Sequence, residues 1–192
     1  MTSKKQLWLL AGGNGAGKST FYRTRLEPLG LPFVNADVIA RELFPDDPEA
    51  KSYLAARIAE ELRTRLLHEG RSFCFETVFS HPSKVDFVAT AKALGYEVVL
   101  VFVHLSTPML NQARVSQRVS EGGHFVPPDK VEQRIPRALA NLRAVIPLCD
   151  QVRVLDNSAL DHPFQPVVTV RRGRVQEHVS PRPPWATTLF EP

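Results

Sequence analysis

At 192 residues, with 43% hydrophobic and 23% charged residues, the chain has the make-up of one folded domain and excludes a disordered or fibrous architecture. A formal charge of +4 favours anionic ligands, from nucleotides to nucleic acid, without choosing among them. Two cysteines, Cys74 and Cys149, far apart in apolar runs, exclude a disulfide framework and read as reduced core thiols.

Gln6 to Ala11 is a short apolar run between lysines and glycines, the pattern of a buried strand. It meets those glycines too early for a signal peptide. Gly12 to Ser19 follows, then a first helix from Lys18 to Leu26 that Pro28 and Gly30 stop, and a second strand over Leu31 to Asn35. Leu54, Ile58, Leu62 and Leu66 recur every four residues along one face of a long helix closed by Gly70. Arg71 to Glu76 is a third strand, Ser83 to Leu94 a helix, and Glu97 to Leu105 a fourth strand rich in β-branched residues. The Val98 to Leu105 run is too short to span a bilayer, so a cytoplasmic location with no membrane partner is expected.

Thr107 before Pro108 is a helix N-cap signal, and Gly122-Gly123 ends that helix. After the HFVPP loop, Asp129 and Glu132 fit a capping box for a helix towards Leu142, with a kink or restart expected near Ile135 because of Pro136. Val152 to Leu155 is a fifth strand, Pro166 to Val179 a hairpin around Arg172-Gly173-Arg174 appended to the sheet edge, and Pro181 to Pro184 opens a proline-rich tail. Strand and helix alternation predicts an α/β three-layer sandwich of the P-loop NTPase kind, with a five-stranded parallel sheet, a helical lid and a C-terminal β-hairpin. A single kinase domain is expected over residues 1–180, with the lid at about 108–143 and the hairpin at about 166–179, and the tail at 181–192.

Gly12, Gly13, Asn14, Gly15, Ala16, Gly17, Lys18 and Ser19 satisfy the spacing of a phosphate-binding loop, and Thr20 follows. Glycines let backbone N–H groups turn towards phosphate oxygens, Lys18 reaches the β and γ phosphates, and Ser19 can hold Mg²⁺. ATP and Mg²⁺ are the expected cofactors. The NKxD tetrapeptide of guanine readers is absent, and no apolar strand ends in the Asp-Glu pair of motor ATPases. A kinase remains.

Asp37, just after the second strand, can accept a substrate hydroxyl proton during phosphoryl transfer, or cap the helix that Ile39, Ala40, Leu43 and Phe44 continue. Glu76 ends the third strand, where it can orient Mg²⁺ through water or bind substrate hydroxyls with Thr77. Six basic residues, Arg114, Arg118, Lys130, Arg134, Arg137 and Arg143, outnumber Glu121, Asp129 and Glu132 between residues 111 and 143. Such a stretch suits a lid that brings cations over a transferring phosphoryl group, with Arg118 and Arg134 flanking its loop. His124 in that loop is a candidate substrate contact, His104 reads as a core histidine, and Asn157 and Ser158 follow the fifth strand where kinases meet adenine.

Together GGNGAGKST, NADVIA, FCFET, RVSEGGHFVP and VLDNS, spread over residues 6 to 158, make the chain resemble the zeta-toxin-like kinases in their compact form. The resemblance implies an ATP- and Mg²⁺-dependent kinase that phosphorylates a sugar hydroxyl, with UDP-N-acetylglucosamine as a possible acceptor. On that basis Asp37 is the base, Glu76 and Thr77 contact the sugar, and Arg118 and Arg134 face the phosphates. Neither toxicity nor an antitoxin partner follows from it. A polynucleotide-end kinase suits the basic balance but lacks interleaved aromatics, and a regulatory ATP-binding module would not need Asp37 and the arginines.

Overall fold

The structure, a computed structural model, describes residues 4–120 and 126–190. Strands β1 (Gln6–Ala11), β2 (Phe33–Val34), β3 (Phe73–Thr77), β4 (Glu97–His104), β5 (Gln151–Asp156), β6 (Gln165–Arg171) and β7 (Arg174–Glu177) form one sheet in the order β2-β3-β1-β4-β5-β6-β7. The first five in sequence run parallel, whereas β6 and β7 pair antiparallel. The expected five-stranded parallel sheet is therefore corrected to a mixed sheet of seven. The C-terminal hairpin is present and joins the sheet edge as expected, with β6 hydrogen-bonded to β5 and β7 to β6. Arg172 and Gly173, with φ of 49° and 76°, supply the left-handed pair that a tight hairpin turn requires.

Helices lie on both faces. α3 (Ser52–His68), α4 (Ser83–Ala93) and α6 (Pro128–Val145) bury Ala59, Leu66, Val88, Ala91, Leu142 and Val145 against one face. The other face carries α1 (Lys18–Phe21), the π and 3-10 turns that follow it to Leu29, and Leu110 of α5 (Pro108–Ser120). β4 is buried along nearly its whole length, as its unbroken apolar run demands. Among the described residues no helix is long and apolar enough to cross a membrane.

Three local expectations change. α6 runs unbroken through Pro136, because that proline and Glu132, whose carbonyl loses its helical donor, lie on the exposed side where water can serve it. Its N-cap lies two residues earlier than the Asp129 capping box implies, at Pro127, with Pro128 in the first turn. In α3 the buried stripe is Ala55, Ala59, Arg63, Leu66 and Leu67, while Leu54 and Leu62 are exposed, so an arginine stands where the four-residue repeat pointed to leucines. Within the proline-rich segment, α7 (Pro184–Thr187) seats Ala186 in the main core, with Leu189 beside it.

His104 at the end of β4 is 6% exposed, with its ring 4.3 Å from Trp185 and 5.4 Å from Phe102. Burial pushes its pKa from 6.5 down to about 4, with Asp156 opposing the shift. Between those values the unfolded chain binds a proton that the folded chain refuses, so stability falls as pH drops from 6.5 towards about 4. The loss attributable to this group is about 3 kcal/mol. Urea unfolding at stepped pH checks it: His104→Asn is expected to flatten the slope in that window, and an unchanged slope would assign the acid sensitivity elsewhere.

Candidate active site

The site sits at the carboxyl ends of the parallel strands, where such sheets open a ligand crevice. Register decides which side chains arrive there. Pairing of β1 with β3 sets Leu10 opposite Glu76 and Ala11 opposite Thr77, and pairing of β2 with β3 sets Val34 opposite Phe75. Asn35, Glu76 and the loop that starts at Gly12 are thereby neighbours, and the Gly12 N–H donates to the Thr77 carbonyl at 3.3 Å.

Residues Gly12 to Ser19 form a tight loop between β1 and α1. A Cβ on Gly12 would lie 2.3 Å from the Val103 carbonyl oxygen, and one on Gly17, whose φ is +98°, would lie 2.4 Å from the Asn157 amide nitrogen. Three flanking residues brace the loop. Asn111 in α5, 2% exposed, donates to the Asn14 carbonyl at 2.6 Å, and Asn157 donates to the Ala16 carbonyl at 2.8 Å. Arg134 in α6 donates to the Asn14 side chain at 3.3 Å.

Lys18, only 7% exposed, has its ammonium 3.0 Å from the Gly13 carbonyl and 3.5 Å from the Glu76 carboxylate. The other Glu76 oxygen accepts from Ser19 Oγ at 3.2 Å and from Asn35 Nδ2 at 2.9 Å. Burying two charges is costly unless they are paired and hydrogen-bonded, and these contacts meet that condition. Asn35 does a second job: its Oδ1 accepts from the Asp37 and Val38 N–H groups and caps α2 (Ala36–Leu43). The cap is Asn35, not Asp37, and the exposed Asp37 carboxylate has no hydrogen-bond partner among the described residues.

Two cavities share this floor. The smaller, about 290 Å³, runs over the loop between Lys18, Ser19, Thr20 and Arg23 on one side and Arg114 and Arg118 on the other. The larger, about 710 Å³, is lined by Lys18, Asp37, Glu76, Thr77, Arg118 and Arg134, and extends to Arg63, Lys84 and Lys130. Arg118 belongs to both, and its Nε is buried without a partner among the described residues.

Of the residues singled out from sequence, Lys18, Asp37, Glu76, Thr77, Arg118 and Arg134 thus converge on one cavity. The Thr77 hydroxyl accepts from the Phe79 N–H at 3.0 Å, which shapes the turn after β3. Asn157 is 6% exposed and both ends of its amide are occupied, by the Ala16 carbonyl and the Phe164 N–H, so it supports the loop from below. Ser158 accepts from the Ser106 N–H at 2.8 Å. His124 lies outside the described residues. Asn35, Asn111 and Arg63 went unnoticed in the sequence. Only Asn35 carried a local signal, as an Asn one residue before the helical run. Cys74 and Cys149 are both free and buried or half-buried, and burial raises the Cys149 thiol to about 12.

A glycine-rich loop between a central parallel strand and a helix, closed by a lysine and a serine, defines a P-loop nucleotide-binding protein. The chain belongs to the AAA domain family, whose model matches residues 7–144. An uncharacterised protein of Haemophilus influenzae is 30% identical over 138 residues, 68% of this chain and 98% of its own length. The crystal structure of AvrRxo1-ORF1:AvrRxo1-ORF2 with ATP superposes with a TM-score of 0.72 at 20% identity, covering 92% of this chain and 61% of that one. The PezAT toxin–antitoxin structure of Streptococcus pneumoniae superposes with a TM-score of 0.64 at 21% identity, covering 88% of this chain and 72% of that one. The resemblance to zeta-toxin-like kinases holds at the level of the fold.

The crowding at Gly17 yields a direct expectation. Gly17→Ala forces a left-handed backbone and a clash with Asn157, a strain of roughly 1–3 kcal/mol, so Mg·ATP affinity should fall about tenfold or more. Calorimetric titration measures it; wild-type affinity would mean that this loop does not cradle phosphate.

Proposed function

We propose that the chain is an ATP-dependent kinase that moves the γ-phosphoryl group to a hydroxyl of a small anionic acceptor, of the class of UDP-N-acetylglucosamine or a related sugar nucleotide. The observation that carries this reading is the Asp37 carboxylate. Relieved of capping by Asn35, it lines the same cavity as Lys18, Arg118 and Arg134. A free carboxylate facing cations across a cavity of acceptor size is what transfer to an alcohol requires.

The roles follow from position. The P-loop holds the nucleotide phosphates, with Lys18 against the β and γ groups. Ser19 with Glu76 behind it fits Mg²⁺, which takes one or two protein oxygens and fills its remaining positions with phosphate and water. When bound, that ion neutralises charge on the β and γ phosphates. Asp37 accepts the proton as the acceptor oxygen bonds to the γ-phosphorus and the bond to the bridging oxygen breaks, leaving ADP. Arg118, at the junction of the two cavities, and Arg134, tied to Asn14, steady the charge on the transferring group. α5 and α6, which carry these arginines, act as the lid that shuts water out. Glu76 is better placed for the metal than for the acceptor, since its oxygens already meet Ser19, Asn35 and Lys18.

The test is Asp37→Asn, assayed with ATP, Mg²⁺ and UDP-N-acetylglucosamine by ³¹P NMR of the product. Because Asn35 provides the cap, the variant should keep wild-type thermal stability and ATP affinity. Phosphorylation should drop on the order of a hundred- to ten-thousand-fold. An undiminished rate would make Asp37 a bystander and remove the proposed chemistry.

A further inference from the structure

Arg63 is an arginine in the buried stripe of α3, 7% exposed, and it lines the large cavity on the part remote from the P-loop. Its guanidinium lies 5.5 Å from the centre of the Phe87 ring and 5.8 Å from that of Phe75, so aromatic faces hold the plane in place. One ion pair reaches it, from Glu60 at 2.9 Å to a terminal nitrogen. Glu60 is mostly in water, so it neutralises the guanidinium weakly. The Nε of Arg63 is buried with no hydrogen-bond partner among the described residues. A buried charged donor left unpaired in this way carries a desolvation cost that a bound anion nearby would lessen.

Lys84 of α4 lines the same part of the cavity. Its ammonium is pushed below its ordinary value, first by burial and then by the charge of Arg63, which marks the two cations as neighbours that repel. Arg57 and Lys130 add two more cations to the wall, whose described carboxylates are Glu60, paired with Arg63, and Asp37 and Glu76. Like charges gathered in a half-buried wall are stabilised by an anion placed between them.

We propose that Arg63 and Lys84 form an anion subsite that binds a phosphate group carried by the acceptor. This rests on the kinase reading above and deepens it by assigning the acceptor's phosphate to Arg63 and Lys84 while its free hydroxyl meets Asp37. Arg63 offers its guanidinium from the cavity wall and Lys84 adds a point charge, a pairing suited to phosphate oxygens. The 710 Å³ cavity is of the size that encloses a nucleoside diphosphate or a sugar phosphate.

The experiment uses the full chain saturated with ADP and Mg²⁺, so that the P-loop is filled, and follows arginine Nε–H signals by NMR during titration with inorganic phosphate. Arg63→Lys identifies the Arg63 signal by its loss. Phosphate should shift that signal along a saturable curve, and acetate should not. Lys84→Gln, at a half-exposed position, should weaken the phosphate curve about tenfold, while ADP affinity stays within about twofold. An Arg63 signal unmoved by phosphate up to roughly 50 mM overturns the subsite and assigns Arg63 to core packing. An equal response to acetate overturns the phosphate assignment in favour of a carboxylate acceptor. ADP binding, read separately, reports on the kinase proposal: loss of ADP binding with an intact Arg63 response refutes the kinase and leaves the subsite standing.

Discussion

The Glu76 carboxylate, enclosed between strands β1 and β2, is the point on which the site depends. It holds Lys18, Ser19 and Asn35 at once, with contacts of 3.5, 3.2 and 2.9 Å. A charge so placed has to be fully partnered, and each partner belongs to a different functional piece. Lys18 and Ser19 are the end of the phosphate loop. Asn35 is the cap of α2, whose first turn carries Asp37. One buried carboxylate therefore ties the nucleotide loop to the helix that presents the candidate base, and the spacing between donor and acceptor sites is set by strand register instead of by flexible loops. Removing Glu76 would release two elements together.

Electrostatics divide the crevice along the same line. The P-loop side gathers Arg23, Arg114 and Arg118, and the remote side gathers Arg57, Arg63, Lys84 and Lys130, with Arg118 common to both cavities. Basic residues are thus gathered where two anions would meet. Bracing from outside keeps this arrangement in place. Asn111 and Asn157 clamp the backbone of the P-loop from α5 and from the end of β5, and Phe164 packs its ring edge-on against Phe21 at 5.3 Å beneath it.

Local chemistry made much of this legible. The apolar runs of β1 and β4, the glycine spacing of the P-loop and the Thr107 cap all act within a few residues, and the structure has each of them. What escaped notice acts across the chain. Asn111 is an ordinary polar residue of α5 until the fold brings it against Asn14, 97 residues away. Arg63 looks like a solvated helix position because its burial depends on Phe75 and Phe87 from other elements. Pro136 misled in the other direction: its helix-breaking effect is local, but its outcome depended on which side of α6 faced water.

The central claim is that this cavity joins ATP to an alcohol. The most direct measurement incubates the full chain with Mg²⁺ and ATP labelled in the γ-phosphate, together with sugar nucleotides, sugar phosphates, unphosphorylated sugars and short oligonucleotides, and follows where the label goes. The account predicts transfer to a small phosphorylated alcohol, lost in Lys18→Ala while that variant remains folded. Label appearing only in inorganic phosphate, or only at oligonucleotide ends, would contradict it.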